Sequence, residues 1–334
     1  MKPNQLTVSL LSLSLGLAAS GIAFSGVSFT YNYLDDPGVG FNFAGQTGID
    51  RRASLEQAGN YISSLFGAYD ANIELDIIGS ETDDNTLASA GTNWNASYPG
   101  TGFGDRGDVM LKILGGNAAD PDSNAADGVV YWNFEDHEWF TGNTPEAGKF
   151  DLVSTAIHEL THALGFASAI NDDGTDGWSS PLGDPSTWAP FDEFVADSTG
   201  PLINASFEID SSRWTTASVG GTGASGLIFL GPNAMAANGG NPVYLYSPIS
   251  WDGGSSGSHL DTDYYDPAIS GRIENMMNHA SSFGPGELDI REFTAIEIGM
   301  LKDIGYVNIV PEPSVILMGF AGSAFLVMRR KRTA

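Results

Sequence analysis

Apolar positions along the chain fall into a few periodic blocks separated by long stretches rich in glycine, serine and acidic residues. Leu55, Ala58, Ile62 and Leu65 recur at helical spacing behind Asp50, which can cap such a helix. Residues 72–78 alternate, with Ile73, Leu75 and Ile77 on one side, and predict a strand. Residues 108–114 and 128–134 are short apolar runs and predict two more strands. Phe150, Val153, Ile157, Leu160 and Leu164 then return to spacings of three and four, so residues 153–166 (VSTAIHELTHALGF) predict a helix with one buried face. The order helix, strands, helix predicts an α+β unit over residues 40–167.

Beyond it the pattern weakens. Residues 168–253 carry scattered Pro, Gly and Ser with short apolar segments at 191–195, 227–230 and 243–246, and predict an insertion with its own small core. Ordered signals resume over residues 254–308. Asp289 and Glu292 there resemble a capping box, leading a helix through Phe293, Ile296, Met300, Leu301 and Ile304 that Gly305 stops. At the two ends, residues 1–25 read as a signal peptide with Lys2 as the only charge. Residues 311–334 hold a charge-free run of apolar character closed by Arg329, Arg330, Lys331 and Arg332, which would hold its end on the cytoplasmic side of a membrane.

Charge and composition narrow the partners. With 14 basic against 41 acidic residues the net charge is −27, which argues against nucleic acid, and against contact with anionic lipid except through the C-terminal segment. The chain has no cysteine, so an exported form would rely on its core and on bound metal rather than on disulfides.

The chemistry concentrates on the 153–166 helix. His158 and His162 stand one turn apart and point both imidazoles at one place, and Glu159 can reach a water held there. Neutral imidazoles leave a Zn²⁺ ion its Lewis acidity, and a carboxylate beside it can serve as general base. Gly165 allows a sharp exit from the helix. A catalytic zinc usually takes three protein ligands. The compact pattern HExxHxxGxxH would put a third histidine at position 168, where this chain has Ser168. The remaining histidines are His137, His259 and His279. Two acidic loops, DPDSNAADG (120–128) and NDDGTDG (171–177), offer oxygens that could take Ca²⁺, although solvated turns explain them as well.

Together HELTHALGF, the long insertion, SHLD (258–261) and the doublet Met276, Met277 resemble the metzincin clan of zinc metallopeptidases, and within it the leishmanolysin-type members. The resemblance implies a metzincin-like fold with a large insertion between the zinc helix and the third ligand. It implies His158, His162 and His259 as zinc ligands, Glu159 as general base, and Met277 in a Met-turn beneath the metal, with Met276 as the alternative if the register slips by one. Ser258 and Asp261 are then candidates to orient the other ring nitrogen of His259. A polypeptide substrate would add as a strand near residues 128–134. The alternative is a non-catalytic surface or matrix protein that keeps the fold and the metal for stability. The tail, with Pro311, Glu312 and Pro313 ahead of its apolar run, resembles a PEP-CTERM sorting signal. That implies processing by an exosortase in a Gram-negative bacterium, transient anchoring in the inner membrane, and release to the cell surface or matrix.

Overall fold

The structure is a computed structural model that describes residues 26–79, 86–94, 101–104, 106–177, 187–266, 268, 274–281, 285–287 and 289–310. The predicted signal peptide and sorting tail lie outside the described residues. No helix among the described residues is long and apolar enough to cross a membrane.

The described residues are mixed α+β, with six α-helices, two four-stranded sheets and a two-stranded pair of β5 (Trp139–Phe140) and β6 (Phe150–Asp151), as the periodic blocks predict in outline. The first sheet has the order β1 (Gly26–Tyr33), β2 (Asp70–Ile78), β4 (Gly128–Trp132), β3 (Ala88–Thr92). β1, β2 and β4 are parallel, and β3 pairs antiparallel with β4 at the edge. β1 carries Val27, Phe29, Tyr31 and Tyr33 on alternate positions and pairs in register with β2, so the first unit begins at Gly26 rather than at Gly40. Ile73, Leu75 and Ile77 of β2 are fully buried, as their alternation predicts.

Between β1 and β2 runs α1 (Gln46–Leu65), with Leu55, Ala58, Ile62 and Leu65 turned into the core. It starts four residues before the predicted cap. Gly45 stands at the N-cap with φ 74, and Asp50 instead accepts from Nε2 of the Gln46 side chain at 2.7 Å. The run at 108–114 is a helix and not a strand: α2 (Gly107–Gly115) buries Val109, Met110 and Ile113 on one face. An apolar run of this length fits either element by pattern alone, and here packing against β2 decides.

α2 also explains the first acidic loop. Lys112 is buried, and its ammonium lies 2.8 Å from Asp120 and 3.0 Å from Asp127. Asp127 further accepts from the Glu74 amide of β2 at 2.7 Å. The loop therefore spends two of its carboxylates neutralising an internal cation and tying β2 to α2. Among the described residues neither acidic loop brings three carboxylates to one point.

The helix at the centre is α3 (Leu152–Ala163), packed between α1 and β3. After it come short elements. β7 (Val195–Asp197), β8 (Gly200–Pro201), β9 (Ile228–Phe229) and β10 (Val243–Tyr244) form the second sheet in the order β10-β9-β7-β8. Its core is not separate: Phe191 stacks between Phe166, just past α3, and Phe229 of β9, and the buried residues form one continuous cluster. The remaining short helices are α4 (Ser211–Ala217) and α5 (Pro232–Ala237).

The closing helix α6 (Ala295–Asp303) begins at a true capping box five residues beyond the predicted one, made by Thr294 and Glu297. Asp289 instead accepts from the Ser281 hydroxyl at 2.6 Å. α6 packs on α5, where a β-carbon on Gly299 would come within 2.7 Å of the Ala234 backbone. Asp303 accepts from the amides of Asn233 and Ala234, capping α5 from outside. Tyr306 follows and donates its hydroxyl to Leu164 O at 2.7 Å, so the segment just after α6 also holds the end of α3.

Candidate metal centre

α3 is anchored at both ends. Asp151 caps it, accepting from the amides of Val153 and Ser154, and the same buried carboxylate takes two hydrogen bonds from Arg291 at 2.7 and 2.8 Å. Removing one partner of a buried pair leaves the other charge without compensation and typically costs about 3–5 kcal/mol. Asp151→Ala, which also removes the helix cap, and Arg291→Met, which strands the fully buried Asp151 carboxylate, should therefore each lower stability by about 3 kcal/mol or more in urea unfolding.

At the other end Gly165 adopts φ 90, a left-handed conformation that a side chain would strain. Its amide bonds His162 O, and the next amide, Phe166 N, bonds Thr161 O. That reversal brings the Phe166 carbonyl back to the His162 ring, where it accepts from Nδ1 at 2.7 Å.

His158, His162 and His259 converge. Their Nε2 atoms lie 3.0 Å (158 to 162), 3.0 Å (162 to 259) and 3.1 Å (158 to 259) apart. Each Nδ1 faces a backbone carbonyl, Met276 O at 2.8 Å for His158, Phe166 O at 2.7 Å for His162 and Ser255 O at 3.0 Å for His259. A carbonyl can only accept, so each Nδ1 carries the proton and each Nε2 presents a lone pair. Three lone pairs this close repel one another unless a cation lies among them. They form the one group of three histidine or carboxylate ligand atoms, among the described residues, that could hold a metal ion. A tetrahedral ion about 2.0–2.1 Å from each nitrogen needs roughly 3.3 Å between nitrogens, within a few tenths of an ångström of what is seen. The donor set therefore fits a metal.

Electrostatics favour the same use. Burial lowers the pKa of His158 to about 4 and of His162 to about 3, and carries His259 well below its usual value, so all three are neutral and ready as ligands at pH 7. Glu159 follows His158 on the helix and is buried. Among the described residues nothing donates to its carboxylate, and burial pushes its pKa up to about 8. A divalent cation at the three nitrogens would oppose that shift.

His259 reaches this place through several ties that sequence spacing does not reveal. Ser258 bonds Ser168, accepting from its amide at 3.1 Å, so position 168, where a compact motif would carry the third histidine, instead tethers the loop that supplies one. Neither Ser258 nor Asp261 orients the His259 ring, as the sequence suggested; Ser255 O does. Asp261 accepts from the amides of Gly223 and Tyr264 and fastens the insertion. Tyr264 and Tyr265 both pack toward Tyr244, and the Tyr265 hydroxyl accepts from the Tyr244 amide.

Met276 and Met277 are buried in the turn that follows residue 274. Met276 O orients His158, and Met277 O accepts from the Leu260 amide at 2.9 Å. Met277 N donates to Glu297 at 2.7 Å, and Glu297 also accepts from Thr294 N. This glutamate, whose pKa burial raises to about 7 against the opposing pull of those donors, clamps the turn to the start of α6. Sequence reasoning passed it over, because the capping-box spacing from Thr294 to Glu297 competes with that from Asp289 to Glu292. His137 stays apart, edge-on to Phe150, and His279 sits beside the group without joining it.

One feature of the first sheet bears on access. β4 lies inside the sheet and cannot take an added strand, contrary to the expectation for residues 128–134. β3 and β1 are the sheet's two edges; β3 packs against α3, and among the described residues no strand pairs with its outer side. No model of a known protein family and no curated protein matches the chain.

Proposed function

We propose that this protein is an exported zinc-dependent endopeptidase of metzincin type, with Met277 in the Met-turn. What carries the reading is the convergence of three Nε2 lone pairs within 3.1 Å beside a buried glutamate on the same helix. A site kept only for structure has no need of that carboxylate. Zinc, when bound, supplies a Lewis acid that polarises the scissile carbonyl and acidifies water. His158, His162 and His259 hold it through Nε2, and the carbonyls of Met276, Phe166 and Ser255 fix their tautomers. Glu159 takes the proton of the attacking water on its carboxylate and delivers it to the leaving amine. The free edge of β3 pairs with the substrate backbone, presenting it antiparallel alongside α3.

The test is a casein or gelatin digestion by purified protein, before and after a zinc chelator, with metal analysis of the same samples. Hydrolysis that stops on chelation and returns with Zn²⁺ is the expected result. Stoichiometric zinc with no hydrolysis of proteins or peptides would favour the alternative, a surface or matrix protein stabilised by its metal. A panel including cell-envelope amides separates a third case, a hydrolase of another polymer.

The ends of the chain extend the proposal to sorting. An exosortase-type enzyme would cut near residues 311–313 and release the body to the cell surface or matrix of a Gram-negative bacterium. Mass spectrometry of the exported form should find a C-terminus in that region, and an intact Ala334 would refute the processing.

A further inference from the structure

The carbonyl that orients His158 belongs to a peptide group held from both sides. Met276 O accepts from His158 Nδ1 at 2.8 Å, and the N–H of the same peptide, that of Met277, donates to Glu297 Oε1 at 2.7 Å. A trans peptide is planar and its N–H and C=O point in opposite directions, so an acceptor that fixes the N–H also fixes where the carbonyl aims. The same acceptor polarises the group and makes its carbonyl the stronger partner for the ring. Glu297 thus stands one peptide unit behind His158, on the side away from the three converging nitrogens.

Its hold extends to the third histidine. Met277 O accepts at 2.9 Å from the amide of Leu260, the residue directly after His259. Glu297 is itself firmly placed: it is fully buried, and its other oxygen accepts from the Thr294 amide at 2.7 Å. The stretch ahead of α6 is fastened to α1, where Phe293 N donates to the Tyr61 hydroxyl at 2.6 Å, and to α3, where the Ser154 hydroxyl donates to Ile290 O at 2.6 Å. The other two orienting carbonyls are set locally. The Ser255 carbonyl lies in a turn in which Ser256 N donates to Asp252 O at 2.9 Å, and the Phe166 carbonyl follows the reversal at Gly165. Among the described residues, only the His158 carbonyl sits on a peptide whose N–H is taken by a side chain from a distant element.

We propose that Glu297 is a positioning residue of the metal centre, which aims and strengthens, through the Met276–Met277 peptide, the hydrogen bond that holds the His158 ring ready for the ion. The inference rests on the zinc site of the reading above. Losing an outer partner of a metal-ligating histidine typically lowers metal affinity by about 10–100-fold, and Glu297 exerts that influence across one planar group.

The test uses the full-length exported protein. Glu297→Ala leaves the Met277 N–H without its acceptor, and Glu297→Gln keeps the length of the side chain and one oxygen to receive it. Zinc affinity, measured by competition with a chromophoric chelator, should fall by about 10–100-fold in the Ala variant and recover in part in the Gln variant. In ¹H–¹⁵N spectra of the zinc-loaded proteins the His158 Nδ1–H signal should move upfield, more in Ala than in Gln. The His162 Nδ1–H signal should stay in place, because its acceptor, Phe166 O, has no tie to Glu297. A loss of packing alone would not single out one ring of the two. In the parent, a scalar coupling across the hydrogen bond from Met277 ¹⁵N to the Glu297 carboxyl carbon should be present, a readout that needs no variant to fold. Absence of that coupling, a Glu297→Ala protein that matches the parent in zinc affinity and in the His158 signal, or equal shifts at His158 and His162 overturns the proposal and leaves the zinc site standing. A parent that takes up no zinc overturns both.

Discussion

Glu159→Ala is expected to lower peptide hydrolysis by about two to four orders of magnitude while zinc stays bound, because the loss is that of a general base and not of a ligand. The three Nε2 atoms and the carbonyls that orient them lie on other residues, so the substitution leaves the metal's own shell intact. Steady-state kinetics paired with metal analysis checks this; parent-like turnover in the variant would refute the base. Glu159→Gln adds a signature in the metal-free protein. The carboxyl titrates near 4.5 ordinarily and at about 8 in the fold, so between those values the folded state holds a proton that the unfolded state has released. The Glu159 contribution to stability therefore declines as pH rises from about 4.5 to 8. Metal-free Glu159→Gln lacks that decline, and denaturant midpoints should show it gaining on the parent over this range. Zinc should shrink the difference, since a cation beside the carboxylate favours its charged form.

His259→Ala should strongly impair metal binding. It deletes one of three converging nitrogens and leaves two ligands on one helix turn. Losing a mere outer partner of a metal ligand costs about 10–100-fold in affinity, and losing the ligand itself should exceed that. Metal-linked stability would go with it: a protein held at 100 times its Kd gains about 2.7 kcal/mol from the ion. Thermal unfolding in the presence of zinc should show a lower midpoint for His259→Ala than for the parent, whereas His137→Ala and His279→Ala should retain stoichiometric zinc. Full zinc occupancy and activity in His259→Ala would exclude the leishmanolysin-type arrangement and turn attention to Glu274, a buried carboxylate shortly before Met276.

The success of sequence reading followed the range of the interactions involved. α1, β2 and α3 were legible because each buries a face whose period is written in consecutive residues, and His158, Glu159 and His162 were legible because one helix turn sets their relations. α2 was misread because a run of seven residues does not distinguish a period of 2 from one of 3.6, and its buried lysine becomes tolerable only where Asp120 and Asp127 meet it. The start of α6 lies five residues beyond the expected one because two capping-box spacings, Asp289 to Glu292 and Thr294 to Glu297, compete, and contact with the Met277 amide selects Glu297.

By itself, then, the sequence determined the helix that carries His158, Glu159 and His162 and their relative placement, since a helix converts spacing into direction without help from the rest of the chain. It also narrowed the third ligand to a few histidines. Only the tertiary structure brought His259 to the other two across 97 positions, through Ser168 to Ser258 and Leu260 to Met277 contacts that no local pattern encodes. It also decided that β3 and not β4 is an edge strand, because β4 becomes interior only when β3 folds back against it. The ring tautomers were decided there as well. A histidine alone can carry its proton on either nitrogen, and it is the carbonyl that the fold places beside each Nδ1 that leaves Nε2 of His158, His162 and His259 with a lone pair to offer.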